Sequence, residues 1–333
     1  MAEPTAFTTA VSRRALLALG AAGIAATRAR AADEPYPQRP IRMLVGFPAG
    51  GFTDVMARVL AEPMGTALGQ RIVVENVSGA AGVLAATQLS VAPPDGYTLL
   101  MGHTTANAAA PALMKSLRYD PLTAFAPVTL AAAQAHAVLV RPDAGFDTIA
   151  DFLARARREP GKLSYASSGP GSVQHLAGEL FKRLSGLDLN HIPYRGSAPA
   201  LTDVVAGHVD VAFDGIGTAQ SQLQSGALKP LAVTTLERSP RYPDLPTLDQ
   251  AGLTGYRMAS WFGIFAPAGT SGAIVARLNA EAVKALATPA VRKVLDDAAA
   301  TPGGNSPAAF SEFVRSETAR LGELIRAANI TME

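Results

Sequence analysis

Short apolar runs separated by stretches of helical spacing are the dominant pattern of this chain. The runs fall at Ile41 to Phe47, Arg71 to Val74, Tyr97 to Met101, Val138 to Val140, Leu163 to Ala166, Val209 to Phe213, Leu231 to Thr234 and Trp261 to Phe265. Their length and β-branched content predict strands. Between them, Thr53 to Leu68, Thr148 to Arg157, Ser172 to Leu184, Ala198 to Val205 and Ala273 to Ala287 repeat apolar residues at helical spacing. Strands and helices in alternation predict an α/β protein with largely parallel sheets. Pro63, inside the first helical pattern, is expected to kink it or end it early.

Two segments read as crossings between domains. Ala137 to Val140 runs into the turn Pro142-Asp143-Ala144-Gly145 and a new helix, and Trp261 to Phe265 runs into Pro267-Ala268-Gly269, after which only helices are expected. A chain that leaves its first domain once and returns once has two connecting strands, an arrangement suited to hinge closure on a ligand. The 333 residues and 48% hydrophobic content support two domains of this kind. With no cysteine in the chain, thiol catalysis, thiolate metal sites and disulfide staples are excluded together.

The first 31 residues read as an export signal. Ser12-Arg13-Arg14-Ala15-Leu16-Leu17 precedes a mild apolar run to Thr27, and Ala29-Arg30-Ala31 offers small residues for cleavage. The paired arginines favour twin-arginine export, with an ordinary Sec signal as the alternative. This segment carries Arg13, Arg14, Arg28 and Arg30 against Glu3, a net of +3 within a whole-chain charge of +2. The remainder is therefore near −1, which removes the argument for a nucleic-acid partner. No later stretch reaches the ~20 apolar residues of a membrane span.

Two glycine turns carry the candidate chemistry. Gly46-Phe47-Pro48-Ala49-Gly50-Gly51-Phe52-Thr53-Asp54 sits between a strand and a helix start, where unpaired backbone N–H groups and the helix dipole make an anion site. It holds no Lys or Arg, so the anion would be held by amides and hydroxyls. Ser167-Ser168-Gly169-Pro170-Gly171-Ser172-Val173-Gln174-His175 is a second such turn, with Ser172 placed to cap a helix whose apolar face includes Leu176, Leu180 and Leu184. A purely structural turn is the alternative at each. One in each lobe could grip the two ends of a dicarboxylate.

His175 could donate to an anion or pack, with packing favoured. His103, Thr104, Thr105 and Asn107 end a predicted strand, where ligand-facing groups collect in open sheets. Asp214 closes another strand and could accept from an amine or hydroxyl, or cap a turn. The histidines at 103, 136, 175, 191 and 208 show no ligand-like spacing, and no nucleophile elbow, phosphate loop or zinc pair occurs. No enzyme, metal or cofactor is expected.

The order Tyr36-Pro37-x-Arg39-Pro40-Ile41, Phe47-Pro48-Ala49-Gly50-Gly51-x-Thr53-Asp54, Val74-Glu75-Asn76, Ala92-Pro93-Pro94-Asp95-Gly96-Tyr97-Thr98-Leu99, Tyr165-Ala166-Ser167-Ser168-Gly169, His175-Leu176-Ala177-Gly178-Glu179, Pro193-Tyr194-Arg195-Gly196, Phe213-Asp214 and Trp261-Phe262-Gly263 resembles the solute-binding receptors of tripartite tricarboxylate transporters, often called the Bug family. The resemblance implies a periplasmic binding protein of type II, with two α/β lobes joined by two crossing strands and a cleft between them. Residues 1–31 would be the signal, 32–137 with 260–333 the first lobe, and 138–259 the second. It implies a monomeric periplasmic receptor that closes over a small carboxylate and delivers it to large and small permease subunits. A sensing role without transport is the runner-up, and a secreted hydrolase a third reading.

Carried over by motif, the contacts would come from Phe47, Ala49, Gly51, Phe52, Thr53 and Asp54 in the first lobe, and from Ser167, Ser168, Gly171, Ser172 and Asp214 in the second. His103, Thr104, His175 and Ala80 complete the candidate set, Ala80 from Asn76-Val77-Ser78-Gly79-Ala80-Ala81-Gly82, which the family usually writes Asn-Arg-Pro-Gly-Ala-Gly-Gly. Three positions depart from the family pattern: Phe52 replaces Ser or Gly, Val77 replaces Arg, and His103 stands where Thr or Ser is frequent. If Phe52 faces the cleft, it adds an apolar or stacking wall that disfavours small, highly charged acids.

Overall fold

The computed structural model describes residues 36–332, so the export-signal reading of residues 1–31 lies outside the described residues. From Arg39 onward, strands β1 (Ile41–Val45), β2 (Ile72–Asn76) and β3 (Thr98–His103) alternate with helices α1 (Phe52–Leu68) and α2 (Val83–Ser90). A π-helical turn at Thr105–Ala109 and a short helix α3 (Ala110–Leu113) lead to β4 (Phe125–Val140). There follow α4 (Ile149–Arg158), β5 (Ser164–Ser167), α5 (Val173–Ser185), β6 (Asn190–Pro193), α6 (Ser197–Ala206), β7 (Val211–Gly215), α7 (Gln220–Gln224) and β8 (Lys229–Val233). The chain then returns through β9 (Ala259–Pro267) to α8 (Gly272–Leu286), α9 (Pro289–Asp297), β10 (Ala300–Pro302) and α10 (Pro307–Ala327).

The strands run in the order β2-β1-β3-β9-β4-β7-β5-β6, with β8 and β10 also paired to β4. Two groups of strands meet on β4, and these are the two α/β lobes. Its first part pairs antiparallel with β9, from Phe125↔Pro267 to Ala135↔Ala259. From His136 onward it pairs with β7 and β8 instead. Thus β4 is one crossing strand, and the return through Met258 into β9 is the other, tied to the second lobe by Met258 N–H donating to the Thr234 carbonyl at 2.8 Å.

This corrects the expectation of largely parallel sheets. The outer pairs β1/β2, β1/β3, β5/β6 and β5/β7 are parallel, but every pairing made by β4 or β9 is antiparallel. The chain goes out and comes back between lobes, so the strands at the crossing must oppose each other. Register shifts between Pro127/Thr129 and Leu130/Ala132 interrupt the β4–β9 ladder, and bulges of this kind bend a strand.

Helix starts follow local chemistry. Thr148 and Asp151 form a reciprocal capping box at α4, and Ser172, Ser271 and Ser306 cap α5, α8 and α10 through their hydroxyls. Pro63 does not end α1, which continues to Leu68. On α5 the buried stripe is Val173, Leu176, Ala177 and Phe181, while Leu184 turns outward. Trp261, Phe265 and Phe310 pack β9 against α10, with Phe265 and Phe310 ring centres 5.0 Å apart. Tyr165, Phe181 and Phe213 fill the second lobe.

Candidate functional site

The first glycine turn delivers the chain from β1 into α1. Gly50 takes φ +87°, and a side chain at Gly46 would collide with the backbone of Gly82, so this turn and the turn before α2 lie back to back. Gly51 precedes the helix and provides no side-chain cap, leaving the first amides of α1 without that partner. Phe47, Ala49, Gly51, Phe52 and Thr53 border a cavity of about 730 Å³. Asp54 does not. Its carboxylate accepts from Gly50 N–H at 3.0 Å, Arg58 Nε at 2.9 Å and Asn76 Nδ2 at 2.8 Å. Burial alone would raise its pKa, but these donors outweigh it and hold the carboxyl below its ordinary range. It braces the turn.

The second turn runs from β5 into α5. Ser168 and Ser172 border the same cavity, and Ser172 Oγ accepts from His175 N–H at 3.2 Å. Ser167, Gly171 and His175 lie behind the turn. Ser167 Oγ meets His191 Nε2 at 2.7 Å, and His175 Nδ1 accepts from Gly171 N–H at 3.1 Å. His175 stacks on His191 at 3.9 Å and His191 on Tyr165 at 4.8 Å. Burial lowers both imidazoles to about 4, so this column is neutral at ordinary pH and supports the turn from beneath.

His103 reaches the cavity from the end of β3, whereas Thr104 is fully buried and pins β3 to β9 by accepting from Trp261 N–H at 2.7 Å. His103 Nδ1 accepts from Thr105 N–H, which leaves the proton of the neutral ring on Nε2. Desolvation and nearby His136 lower its pKa to about 3. Ala80 contributes only to the turn before α2, and its neighbour Ala81 is the alanine at the cavity. Phe52 does border the cavity, with its ring 4.9 Å from that of Phe262 at 69°.

Asp214, at the end of β7, is buried and reaches the cavity. Burial pushes its carboxyl up to about 6, against hydrogen bonds from Gln174, Ser197 and Gly215 that favour ionisation. Gln174 Nε2 donates to Asp214 at 3.1 Å and to Ser197 Oγ at 3.0 Å, while Ser168 Oγ donates to Gln174 Oε1 at 2.9 Å. Serine, glutamine and aspartate thus form one network across the second lobe's face.

The expectation of a site without lysine or arginine is corrected. Arg195 borders the cavity, exposed at its edge, with no acidic partner among the described residues. It lies just before α6, whose preceding Gly196 at φ +118° provides no side-chain cap. The signal in the sequence is the Pro193-Tyr194-Arg195-Gly196 turn, a cation beside a glycine at a helix start, which is less conspicuous than the two longer glycine turns. Gln174, His136, Ser260 and Phe262 at the cavity were also missed as site residues. Among the described residues no helix is long and apolar enough to cross a membrane.

With both lobes contributing to one cavity, the fold and its turns match a known group along most of the chain. The family described as tripartite tricarboxylate transporter family receptor matches residues 56–330. This chain belongs to that receptor family. Protein BugT of Bordetella pertussis is 35% identical over 309 residues, covering 92% of this chain and 94% of that protein. Among solved structures, R. palustris Rpa4515 with adipate is 36% identical with a TM-score of 0.82, covering 89% of this chain and 100% of that one. MatC (Rpa3494) from Rhodopseudomonas palustris with bound malate is also 36% identical, with a TM-score of 0.77 and coverage of 87% and 100%. The receptor has the two-lobed α/β fold of periplasmic binding proteins.

Proposed function

We propose that this receptor captures a small carboxylate between its lobes, closes over it, and delivers it to the large and small membrane subunits of a tripartite tricarboxylate-type permease. The carrying observation is a single cavity bordered by the starts of α1, α5 and α6, with Arg195 the one Lys or Arg on its lining among the described residues. Helix N-termini and a guanidinium all attract negative oxygen. Adipate and malate in the related Rpa4515 and MatC structures support the ligand class.

In this reading the signal is removed on export and the monomer acts in the periplasm. The lobes divide as 32–137 with 260–333 and 138–259, close to where β4 changes partners and β9 begins. Phe47, Ala49, Gly51, Phe52, Thr53, His103, Ser168, Ser172, Arg195 and Asp214 face the ligand, while Asp54, Thr104, Ser167, Gly171 and His175 hold the surrounding turns. Each hydrogen bond to a charged ligand contributes ~1.5 to 3 kcal/mol, so a few suffice for micromolar binding, about −8 kcal/mol, after association entropy.

The test is a thermal-shift titration of purified protein with mono-, di- and tricarboxylates. At least one is expected to raise the melting temperature selectively and in a concentration-dependent way. A flat response to every acid overturns the reading.

A further inference from the structure

The cavity is chemically lopsided between its lobes. Four rings from the first lobe border it in an unbroken path: Phe47 to His103 at 5.0 Å and 73°, His103 to Phe262 at 5.3 Å and 52°, and Phe262 to Phe52 at 4.9 Å and 69°. His103 belongs with the phenylalanines, because its ring is neutral at ordinary pH. The second lobe supplies both charged side chains of the lining among the described residues, Arg195 and Asp214, with the hydroxyls of Ser168, Ser172 and Ser197 and the amide of Gln174, while the polar groups of the first lobe, among them Thr53, Thr105 and Ser260, are uncharged.

A dianion fits this division poorly. One of its carboxylates could meet Arg195 and the hydroxyls, but the other would be pressed either toward Asp214, which repels it when ionised, or into the ring wall, which offers no charge to replace lost water. Phe52 sharpens the problem, because it adds an apolar ring, packed 4.9 Å from that of Phe262, to this side of the cavity at the first residue of α1. A flat ring, by contrast, can join the edge-to-face arrangement already present.

We propose that the selected solute is an aromatic monocarboxylate, its ring against Phe47, Phe52, Phe262 and His103 and its carboxylate toward Arg195 and the second lobe's hydroxyls. This rests on the carboxylate reading above and narrows it. Phe52 is the specificity-determining residue, since the family commonly has Ser or Gly at this position and this chain has the ring that ends the wall's path.

Isothermal titration of the wild-type receptor with benzoate, adipate and malate, repeated on Phe52→Ser and Phe52→Leu, tests it. Benzoate is expected to bind at least tenfold more tightly than either dicarboxylate. Phe52→Ser should lose about tenfold for benzoate while adipate is unchanged or improved, and Phe52→Leu, which keeps the volume but not the ring, should fall between. A readout without variants is the proton spectrum of benzoate, whose ring signals should shift upfield on binding the wild type. Tighter adipate or malate binding, or benzoate affinity indifferent to Phe52→Ser, overturns the aromatic assignment and leaves the carboxylate reading standing. Failure of every carboxylate in the thermal-shift panel removes that reading, and this one with it.

Discussion

Asp214 keeps a carboxyl group buried under a network of neutral donors, and its raised pKa makes a signed prediction. Its ordinary value is 3.8 and burial lifts it to about 6 in the folded protein, so between those values the native state holds a proton that the unfolded chain has released. Stability from this group therefore falls as pH rises from about 4 to about 6. Asp214→Asn, which keeps an acceptor for Gln174 and Gly215, should flatten that decline in urea unfolding measured across the window. An unchanged pH profile would mean the carboxyl ionises normally. The sequence placed Asp214 at a strand end, where an open sheet presents its polar groups, and left cleft-facing and turn-capping roles both open. It could not separate cavity-lining residues from braces within one turn: Asp54 and Thr53 are neighbours, yet one is locked to Arg58 and Asn76 and the other borders the cavity. That distinction depends on β2 bringing Asn76 alongside, a contact across 22 residues that no local pattern encodes.

At the scale of elements, the turn before α2 carries the clearest strain. Ala80 and Ala81 both take positive φ, 45° and 52°, where an L side chain crowds its own backbone at about 1 kcal/mol each. The family usually has glycine at position 81, so Ala81→Gly should stabilise the receptor by about 0.5 to 1 kcal/mol net of glycine's greater unfolded entropy. Urea unfolding at pH 7 would register this as a higher midpoint, and a lower one would show that the Cβ of Ala81 contributes more by packing than it costs. The larger elements were readable where their pattern was clean. Strands β1, β3, β5 and β7 and helices α1, α4, α5, α6 and α8 lie within a few residues of the sequence reading. The first three-quarters of β4 was not anticipated, since Phe125 to His136 is rich in alanine and interrupted by Pro127, which suppresses both strand propensity and alternation. Brief β6 and β10 escaped for lack of length, and α2, α9 and α10 were not resolved from loop or from a generally helical tail.

For the whole molecule, the number of crossings was legible while their nature was not. Proline and glycine turns marked where the chain changes lobes, but the antiparallel centre of the sheet arises from tertiary pairing between β4 and β9. That pairing also sets an order of events. Strands β5 to β8 and the end of β4 occupy one continuous stretch, whereas β3, paired on one edge with nearby β1, must wait for β9 on the other, with Leu100 opposite Phe265 and His103 opposite Phe262. Long loops close late because their entropy is lost before their contacts form. In refolding followed by pulsed hydrogen exchange, amides of β5 and β7 should gain protection before those that bond β3 to β9, and simultaneous protection would reject this order. Since Phe262 arrives on β9 and stands across from His103, the surface proposed to recognise the solute is among the last parts of the receptor to assemble. An unfinished chain, however well folded its middle, is blind to its cargo.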